Sequence, residues 1–454
     1  MVSYHIDFPA EINYNDLTMT TLTILIKRLG PVRGRHPWVF SGALKNIPEG
    51  LTSGEPIELV DETGAYLASG YFNSYSQIAV RLWGWEKEEV DEKFFEKRIA
   101  NAYEIRKEYV LNKTTDSCRL INGENDLLPG LIVDKYQNYL VIQFHNSGIE
   151  RWKKEITAAL VKILKPKGIY ERSDVRERLR ESARAVILSP RRSIGINSAE
   201  ESLAHRTANG TEISLRDPVG FRSAQDDTEK TSGVLHGKIP SEIKILENGY
   251  SFIVNVKEGQ KTGFFLDQRD KRQALEKFVK GKKVLNCFSY TGGFSAYALG
   301  AGAKKVVSVD ASEPALQIAE KNIQLNKFDE KKAEFILADV KVYLADREKG
   351  EFDVIILDPP AFVKDRHKIN EGLQGYRKIN EAALRILPPG GILVTCSCST
   401  HVSLQDFRFT LTSAAARAGR TVQILETYTH GIDHPNLVAF TEGEYLKCIF
   451  AIVR

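Results

Sequence analysis

Short apolar runs and helix-like stretches alternate from Lys282 onward: KVLNCF, FSAYALGAG, KKVVSVD, ALQIAEKNIQLN, AEFILAD, VKVYLAD, FDVIILDPP, YRKINEAALRIL and GGILVTCSCS. Strand alternating with helix at this spacing is the pattern of a doubly wound α/β sheet, and few other folds accommodate it. Ligands of such sheets bind in the crevice outside the carboxyl ends of the strands, so a site is expected just after each apolar run.

Four runs end in suggestive chemistry. The strand starting at Val284 leads into the turn CFSYTGGF, whose paired Gly292 and Gly293 open a helix and let a ligand approach the backbone closely. This turn is not G-x-G-x-x-G, so a dinucleotide pyrophosphate lacks its usual cradle. KKVVSVD ends at Asp310, about 17 residues beyond the glycines, where a carboxylate can accept both hydroxyls of a ribose. Nicotinamide and S-adenosylmethionine enzymes share that acid. AEFILADV places Asp339 where it either accepts from an adenine amine or simply turns the chain at the surface. FDVIILDPP ends in Asp358-Pro359-Pro360, and an ordinary strand-to-loop turn needs no carboxylate followed by two prolines. The prolines make a rigid, extended turn suited to aiming carbonyls and one carboxylate at a planar substrate.

The last run, GGILVTCSCSTH, carries Cys396 and Cys398. Residues two apart on a strand share a face, so alternation does not separate them, though Cys398 lies nearer the carboxyl end. Either is also read as a small buried hydrophobe. What a Cys offers at this place is covalent catalysis. C5 of cytosine is too weak a nucleophile to take a methyl group unaided; a thiolate adding to C6 makes C5 enamine-like, and loss of the C5 proton after transfer expels the thiolate. The thiol must be ionised, which a neighbouring sulfonium favours. Asp358 could then hold a protonated N3 or the exocyclic amine as charge builds on the ring.

Upstream, residues 22 to 82 alternate in short apolar stretches broken by Gly and Pro (LTILIK, PWVFSGAL, EPIELVD, AYLASGYF, QIAVRLW), the rhythm of a small all-β unit. A helix follows, with Phe95, Ile99, Ala102, Ile105 and Tyr109 expected on one face. LPGLIVDKYQNYLVIQF predicts two strands joined near Gln137 and Asn138, a helix is expected from about Glu150 to Leu164, and GIYERSD reads as a strand. Residues 90 to 175 and 241 to 265 thus suggest an α+β domain, interrupted by a stretch at 176–232 with little periodic pattern. From Arg172 to Arg192 the chain holds seven arginines, read either as a phosphate contact or as a solvated insertion.

A length of 454 residues exceeds one ordinary core, and no apolar run is long enough to span a bilayer. The start of the chain reads neither as a secretory signal nor as a transit peptide, so a cytoplasmic location is expected. Five cysteines without a regular framework argue for free thiols, and the CxC of Cys396 and Cys398 has no second pair at zinc spacing, so no metal site is expected. The net charge of +4 permits a nucleic-acid partner without requiring one.

Taken together, RGRHPWVFSGAL (Arg33 to Leu44), LPGLIVD (Leu128 to Asp134), EGQKTGFFLDQRDKR (Glu258 to Arg272), NCFSYTGGF (Asn286 to Phe294), VVSVDAS, LDPPAFV (Leu357 to Val363), YRKIN (Tyr376 to Asn380) and SCS (Ser397 to Ser399) are motifs in a fixed order. With them the chain resembles, over nearly its whole length, the bacterial class I large-subunit ribosomal RNA cytosine-C5 methyltransferases that carry an N-terminal PUA domain. The resemblance implies an α/β fold: a C-terminal Rossmann-like methyltransferase sheet at residues 266–454, preceded by a small β-barrel-like PUA domain at 20–88 and an α+β middle domain at 89–265. It implies S-adenosyl-L-methionine as cofactor and large-subunit (23S) ribosomal RNA as partner, and leaves room for a homodimer. By the same resemblance Cys398 is the nucleophile, and Asp358 joins it in catalysis. Gln268, Arg269, Asn286, Phe288, Tyr290, Gly292, Asp310, Asp339 and Asp358 would hold the cofactor, with Asp267 beside Gln268 in the pocket. Other RNA cytosine-C5 methyltransferases add a second Cys after the Pro of the fourth motif. Ala361 stands there in this chain, so the group that removes the C5 proton is open, with His401 a candidate. Arg35, His36 and Trp38 are expected to face RNA, Arg meeting phosphate and Trp stacking on a base; Trp38 is also read as core of the small barrel. The long N-terminal tail and the 176–230 insertion are the departures from the family pattern.

Two alternatives stand beside this reading. Methylation of a base nitrogen would use the same cofactor site and leave Cys398 idle, and a non-catalytic RNA-binding assembly factor would bind no cofactor. A nicotinamide oxidoreductase lacks its glycine fingerprint.

Overall fold

The computed structural model describes residues 19–74, 76–173, 232–363 and 366–454. The N-terminal tail, nearly all of the Arg-rich stretch and the insertion expected at 176–232 lie outside them.

The first sheet is built from β1 (Thr20–Thr23), β2 (Trp38–Phe40), β3 (Pro56–Val60), β4 (Tyr66–Phe72) and β5 (Ile78–Gly84), in the order β1-β3-β4-β5-β2. In β3 the alternation of period two sends Ile57 and Leu59 inward, where they meet Leu22, Ile24, Ala68, Val80 and Leu82.

The helix Glu92–Tyr109 follows, its first turn capped by Asp91, which accepts from the Phe94 N–H at 2.8 Å. Its buried stripe is Phe95, Ile99, Ala102 and Arg106, whereas Ile105 and Tyr109, expected inside, are 43% and 62% exposed. At about 100° per residue, position 106 rather than 105 lines up with 95, 99 and 102. Burying an arginine there is tolerable because Asp126 takes both of its Nη groups, at 2.6 and 2.7 Å.

A second sheet, β10-β9-β8-β7-β6, comprises β6 (Ser117–Asn122), β7 (Leu131–Tyr136), β8 (Tyr139–Phe144), β9 (Gly168–Arg172) and β10 (Ser232–Gly237). The β7–β8 turn falls at Gln137 and Asn138 as expected, with Gln137 in the left-handed region at φ 56°. The hairpin β11 (Ile243–Glu247) and β12 (Tyr250–Val254) sits at a seam, since Ile243, Ile245, Phe252 and Val254 share one apolar cluster with Tyr136 and Val141 of the second sheet and with Val284, Val306 and Val354 beyond.

The third sheet is the doubly wound one. Its strands are β13 (Lys283–Cys287), β14 (Lys305–Asp310), β15 (Ala333–Leu337), β16 (Val354–Leu357), β17 (Ile392–Ser397), β18 (Val422–Tyr428) and β19 (Lys447–Val453), in the order β15-β14-β13-β16-β17-β19-β18. The first five are parallel; β19 runs antiparallel between β17 and β18. β13 has β14 on one side and β16 on the other, so the strand order reverses there and a crevice opens beyond their carboxyl ends. Among the described residues no helix is long and apolar enough to cross a membrane.

The loop between β18 and β19 reaches back to the second sheet. Asp433 accepts from the Arg119 N–H and from Arg269 Nη2, both at 2.9 Å, its carbonyl accepts from Arg106 at 2.9 Å, and its other carboxylate oxygen meets His434. Burial alone would raise the Asp433 carboxyl, but Arg269 and His434 overcome it and hold the group far below the usual carboxylate range. At this junction each of these buried charges has a partner of opposite sign, although Arg269 Nε and His434 Nε2 find no hydrogen bond among the described residues.

Candidate active site

All five parallel strands contribute to one cavity of about 470 Å³ at their carboxyl edge. The turn after β13 supplies Phe288, Ser289, Tyr290, Thr291, Gly293 and Phe294; β14 ends at Asp310, the chain after β15 brings Asp339, β16 leads to Asp358–Ala361, and β17 leads to Cys398. The segment before the sheet closes one wall with Lys261, Phe265, Asp267 and Gln268.

The turn is wound unusually tightly: Phe288, Tyr290 and Gly292 all have positive φ, at 59°, 47° and 75°. Only the last is a glycine, and a Cβ there would also stand 2.9 Å from that of Ala319. Tyr290 holds the winding. Its N–H donates to Asp310 at 2.8 Å, while its hydroxyl donates to the Gly263 carbonyl at 3.1 Å and accepts from the Gln260 N–H at 2.8 Å. The second oxygen of Asp310 accepts from the Ser312 N–H at 2.9 Å. Each carboxylate oxygen keeps a lone pair for a further donor. Asp339 caps the helix Val340–Ala345 through Lys341 and Val342 and also lines the cavity.

At the other end Gln268 Nε2 donates to Asp358 at 2.8 Å, and Asp267 accepts from the Tyr445 hydroxyl at 2.7 Å. The two carboxyls are pushed apart. Burial, reinforced by the Asp267 charge, lifts Asp358 to about 7. For Asp267 burial is outweighed by Lys261, His434 and Lys271 and by the Tyr445 hydrogen bond, so it stays ionised. Cys398 lies one residue past the end of β17, partly exposed, its thiol 3.7 Å from the Pro359 carbonyl. Burial raises that thiol to about 11, with Lys261 as the strongest charge pulling it back. Ser399 beside it is held by Tyr376 at 2.9 Å and by Lys447, whose Nζ donates to the Ser399 carbonyl at 2.8 Å. Cys396 is fully buried in the strand, paired in register with Cys448. Of the two cysteines, the cavity takes Cys398.

Three expected cofactor residues do not line the cavity. Arg269 begins the helix Arg269–Val279 and, one residue on from Gln268, turns the other way into the junction, donating to Asp433 and to the Ser117 carbonyl at 3.1 Å. Asn286 is buried under the turn, its Nδ2 donating to Ser295 at 2.9 Å. Gly292 shapes the turn, and Gly293 faces the space. His401 is exposed and apart from the cavity. Conversely, Lys261, Phe265, Ser289, Thr291 and Leu446 line it without having been assigned. Leu446 and Lys447 escape strand-end reasoning because β19 is antiparallel: its amino-terminal end is what abuts this edge.

In the first sheet Arg35 is exposed and lies 5.2 Å over the Trp85 ring, and His36 meets Glu442 at 3.3 Å. Trp38 is half-buried at a joint, its indole N–H donating to Glu124 at 2.8 Å and its ring 4.7 Å from that of Phe440. Phe40, two residues on, is 49% exposed on a pocket of about 330 Å³ that Arg28 and His36 also line.

Comparison with known proteins gives consistent matches. Residues 221–440 match the model of an S-adenosylmethionine-dependent methyltransferase family, and residues 23–85 that of a PUA-like domain. The chain is 39% identical over 435 residues to Ribosomal RNA large subunit methyltransferase I of Vibrio parahaemolyticus, covering 94% of this chain and 98% of that protein. With the protein of that name from Enterobacter sp. it shares 38% over 417 residues, 91% and 94% of the two chains. Among solved structures, a chain from Streptococcus mutans assigned as a SAM-dependent methyltransferase superposes with a TM-score of 0.74 at 21% identity, covering 96% of this chain and all of that one. A second, assigned as a methyltransferase and complexed with SAH, gives 0.75 at 22% over 96% of this chain and all of its own. At these identities the likeness is one of fold.

Proposed function

Since the chain belongs to the ribosomal RNA large subunit methyltransferase I family, S-adenosylmethionine-dependent enzymes with a PUA-like domain, we propose that it methylates C5 of a cytosine in 23S ribosomal RNA through a covalent bond to Cys398. The observation that carries the finer part is the meeting of Cys398 with the Asp358-Pro359 turn at the cavity.

The cavity suits the cofactor. Among the described residues Ser289 Oγ, Thr291 Oγ1, Asp267 Oδ1 and Gln268 Oε1 are buried on its walls with no hydrogen-bond partner, polar atoms that a polar ligand would satisfy. Asp310 would accept the ribose hydroxyls and Asp339 the adenine amine, with Phe288 and Val340 as apolar lining. When bound, S-adenosylmethionine supplies an electrophilic methyl group on a sulfonium.

The protein's own groups do the rest. The Cys398 thiolate forms a bond to C6, and Asp358, poised near neutral, gives its proton to N3 as charge accumulates there. Once C5 carries the methyl group, its proton must leave as the S–C6 bond breaks and N3 returns its proton to Asp358. Asp267, ionised and with an unpartnered Oδ1 on the same wall, takes this part in place of His401. Two carboxyls whose environments drive them apart divide acid and base work between them.

RNA would dock through the PUA-like domain, with Arg35, His36 and the exposed Phe40 toward it and Trp38 retained at the joint. The division at 20–88, 89–265 and 266–454 belongs to this proposal. The test is to incubate the protein and labelled cofactor with unmodified large-subunit rRNA and map the product by mass spectrometry. We expect 5-methylcytosine; a methylated base nitrogen would overturn the C5 assignment, and failure to bind S-adenosylhomocysteine in calorimetry would overturn methyl transfer itself.

A further inference from the structure

Lys261 lines the same cavity as Cys398, Asp267 and Asp358, yet the reaction steps above give it no role. Its backbone is in the left-handed region, at φ 51° without being a glycine, a conformation that persists only where the surroundings impose it. Among the described residues its ammonium has no salt-bridge or hydrogen-bond partner. Instead it lies over two rings, 5.0 Å from the centre of Phe265 and 5.6 Å from that of Tyr445. Ring faces hold a cation while leaving its charge uncancelled. Among the described residues no carboxylate makes a direct ion pair with it, although its field also lowers Asp267 and Asp358.

We propose that Lys261 is a further catalytic residue, the counter-ion that holds Cys398 as a thiolate for attack on C6. The inference rests on the reading of Cys398 as nucleophile. The thiol proton passes to water and Lys261 keeps its own; no electrons are exchanged, and the S–C6 bond forms and later breaks with the charge returning to sulfur opposite the ammonium.

The other charged and titratable groups facing Cys398 do not fill this place. Asp358 and Asp267, from the β16 turn and the pre-sheet segment, oppose thiol ionisation. Tyr376, on the helix Ile369–Ile386, is neutral at working pH, since burial raises it. Lys447, on β19, is lowered to about 8 by burial against the opposing pull of Cys398, and its Nζ is already engaged by the carbonyls of Ser399 and Tyr445. Lys261 is the strongest charge favouring the thiolate against a burial effect that otherwise raises Cys398 to about 11.

Alkylation of Cys398 by iodoacetamide in the full-length protein, followed by peptide mass mapping across pH 6 to 11, reads the thiolate directly. The other four cysteines are buried, so the peptide is unambiguous. Lys261→Met keeps the aliphatic stem and should slow alkylation at pH 8 about tenfold, moving the midpoint up by about one unit, the equivalent of one decade in thiolate. Lys261→Arg should retain the wild-type midpoint, and Lys447→Met should move it less than Lys261→Met. Circular dichroism selects folded samples, and should Lys261→Met not fold, Lys261→Gln takes its place. A neutral variant with the wild-type alkylation profile would overturn the proposal, as would Lys447→Met showing the larger shift. If Cys398→Ser still methylates RNA, the nucleophile assignment fails instead, an outcome the alkylation profile does not mimic.

Discussion

Two regions of this molecule bury charge, and they do so in opposite ways. At the junction between the second and third sheets, Arg106 is matched bidentately by Asp126, and Asp433 takes Arg269 and His434 together with the Arg119 backbone N–H. In the cavity, Asp267 and Asp358 oppose each other, Lys261 rests on ring faces, and among the described residues Ser289 and Thr291 have unpartnered hydroxyls. Both hold similar residue types at similar depth. Pairing distinguishes them: a satisfied network has no capacity left for a ligand, whereas an unsatisfied one is stabilised by the molecule that completes it.

The contrast can be broken at its strongest point first. Cys398→Ser should lower methyl transfer by at least roughly 10³-fold while leaving S-adenosylhomocysteine affinity in calorimetry unchanged, since the cavity walls persist. Survival of the activity would remove chemistry from the cavity side of the comparison. Arg106→Leu leaves Asp126 buried without its partner and should cost about 3–5 kcal/mol in urea unfolding, with the activity of the folded fraction retained. An unchanged midpoint would mean that the junction is not what holds the sheets together.

Asp358→Asn should act in the reverse sense, stabilising the fold. The folded carboxyl titrates at about 7 and the ordinary one at 3.8, so the wild type bears the full penalty of ionisation above pH 7 and none below about pH 4. The gain should therefore reach up to about 4 kcal/mol at pH 8 and vanish as the pH falls toward 4, read as a pH series of thermal or urea midpoints. A flat series would place Asp358 among the paired charges. The smallest effect is expected at the first sheet: Phe40→Ala should weaken binding to large-subunit rRNA fragments by about 1–3 kcal/mol in filter binding, as for loss of one stacked base. Trp38→Phe should alter RNA affinity less than stability; the opposite order would return Trp38 to the RNA-facing surface.

Arg269 shows where sequence reasoning mistakes one region for the other. It sits in the motif FLDQR beside two residues that do line the cavity, and adjacency along a chain says nothing about direction once a helix begins and turns each side chain by about 100°. Ile105 and Tyr109 were misplaced for a related reason: a loose i, i+3, i+4 pattern counts apolar residues, while the face actually buried passes through Arg106 because a partner at Asp126 exists. The ends of the parallel strands were legible. Asp310, Asp339, Asp358 and Cys398 were each placed by reading one residue past an apolar run, and all four reach the cavity.

By itself the sequence determined the alternation of strand and helix and the family, and pointed to the carboxyl edge, because period, strand-end chemistry and motif order are all local along the chain. Between Cys396 and Cys398 the sequence already favoured the latter, nearer the carboxyl end; the tertiary structure supplies the reason, since β17 stops at Ser397 and keeps Cys396 buried. Only the tertiary structure brought Lys261, Tyr445 and Leu446 to that edge, through a segment before the sheet and an antiparallel strand that returns to it. Which buried charges are paired is likewise a property of distances between segments from 20 to more than 300 residues apart, and on those distances rests the division between what holds the protein together and what is left to act.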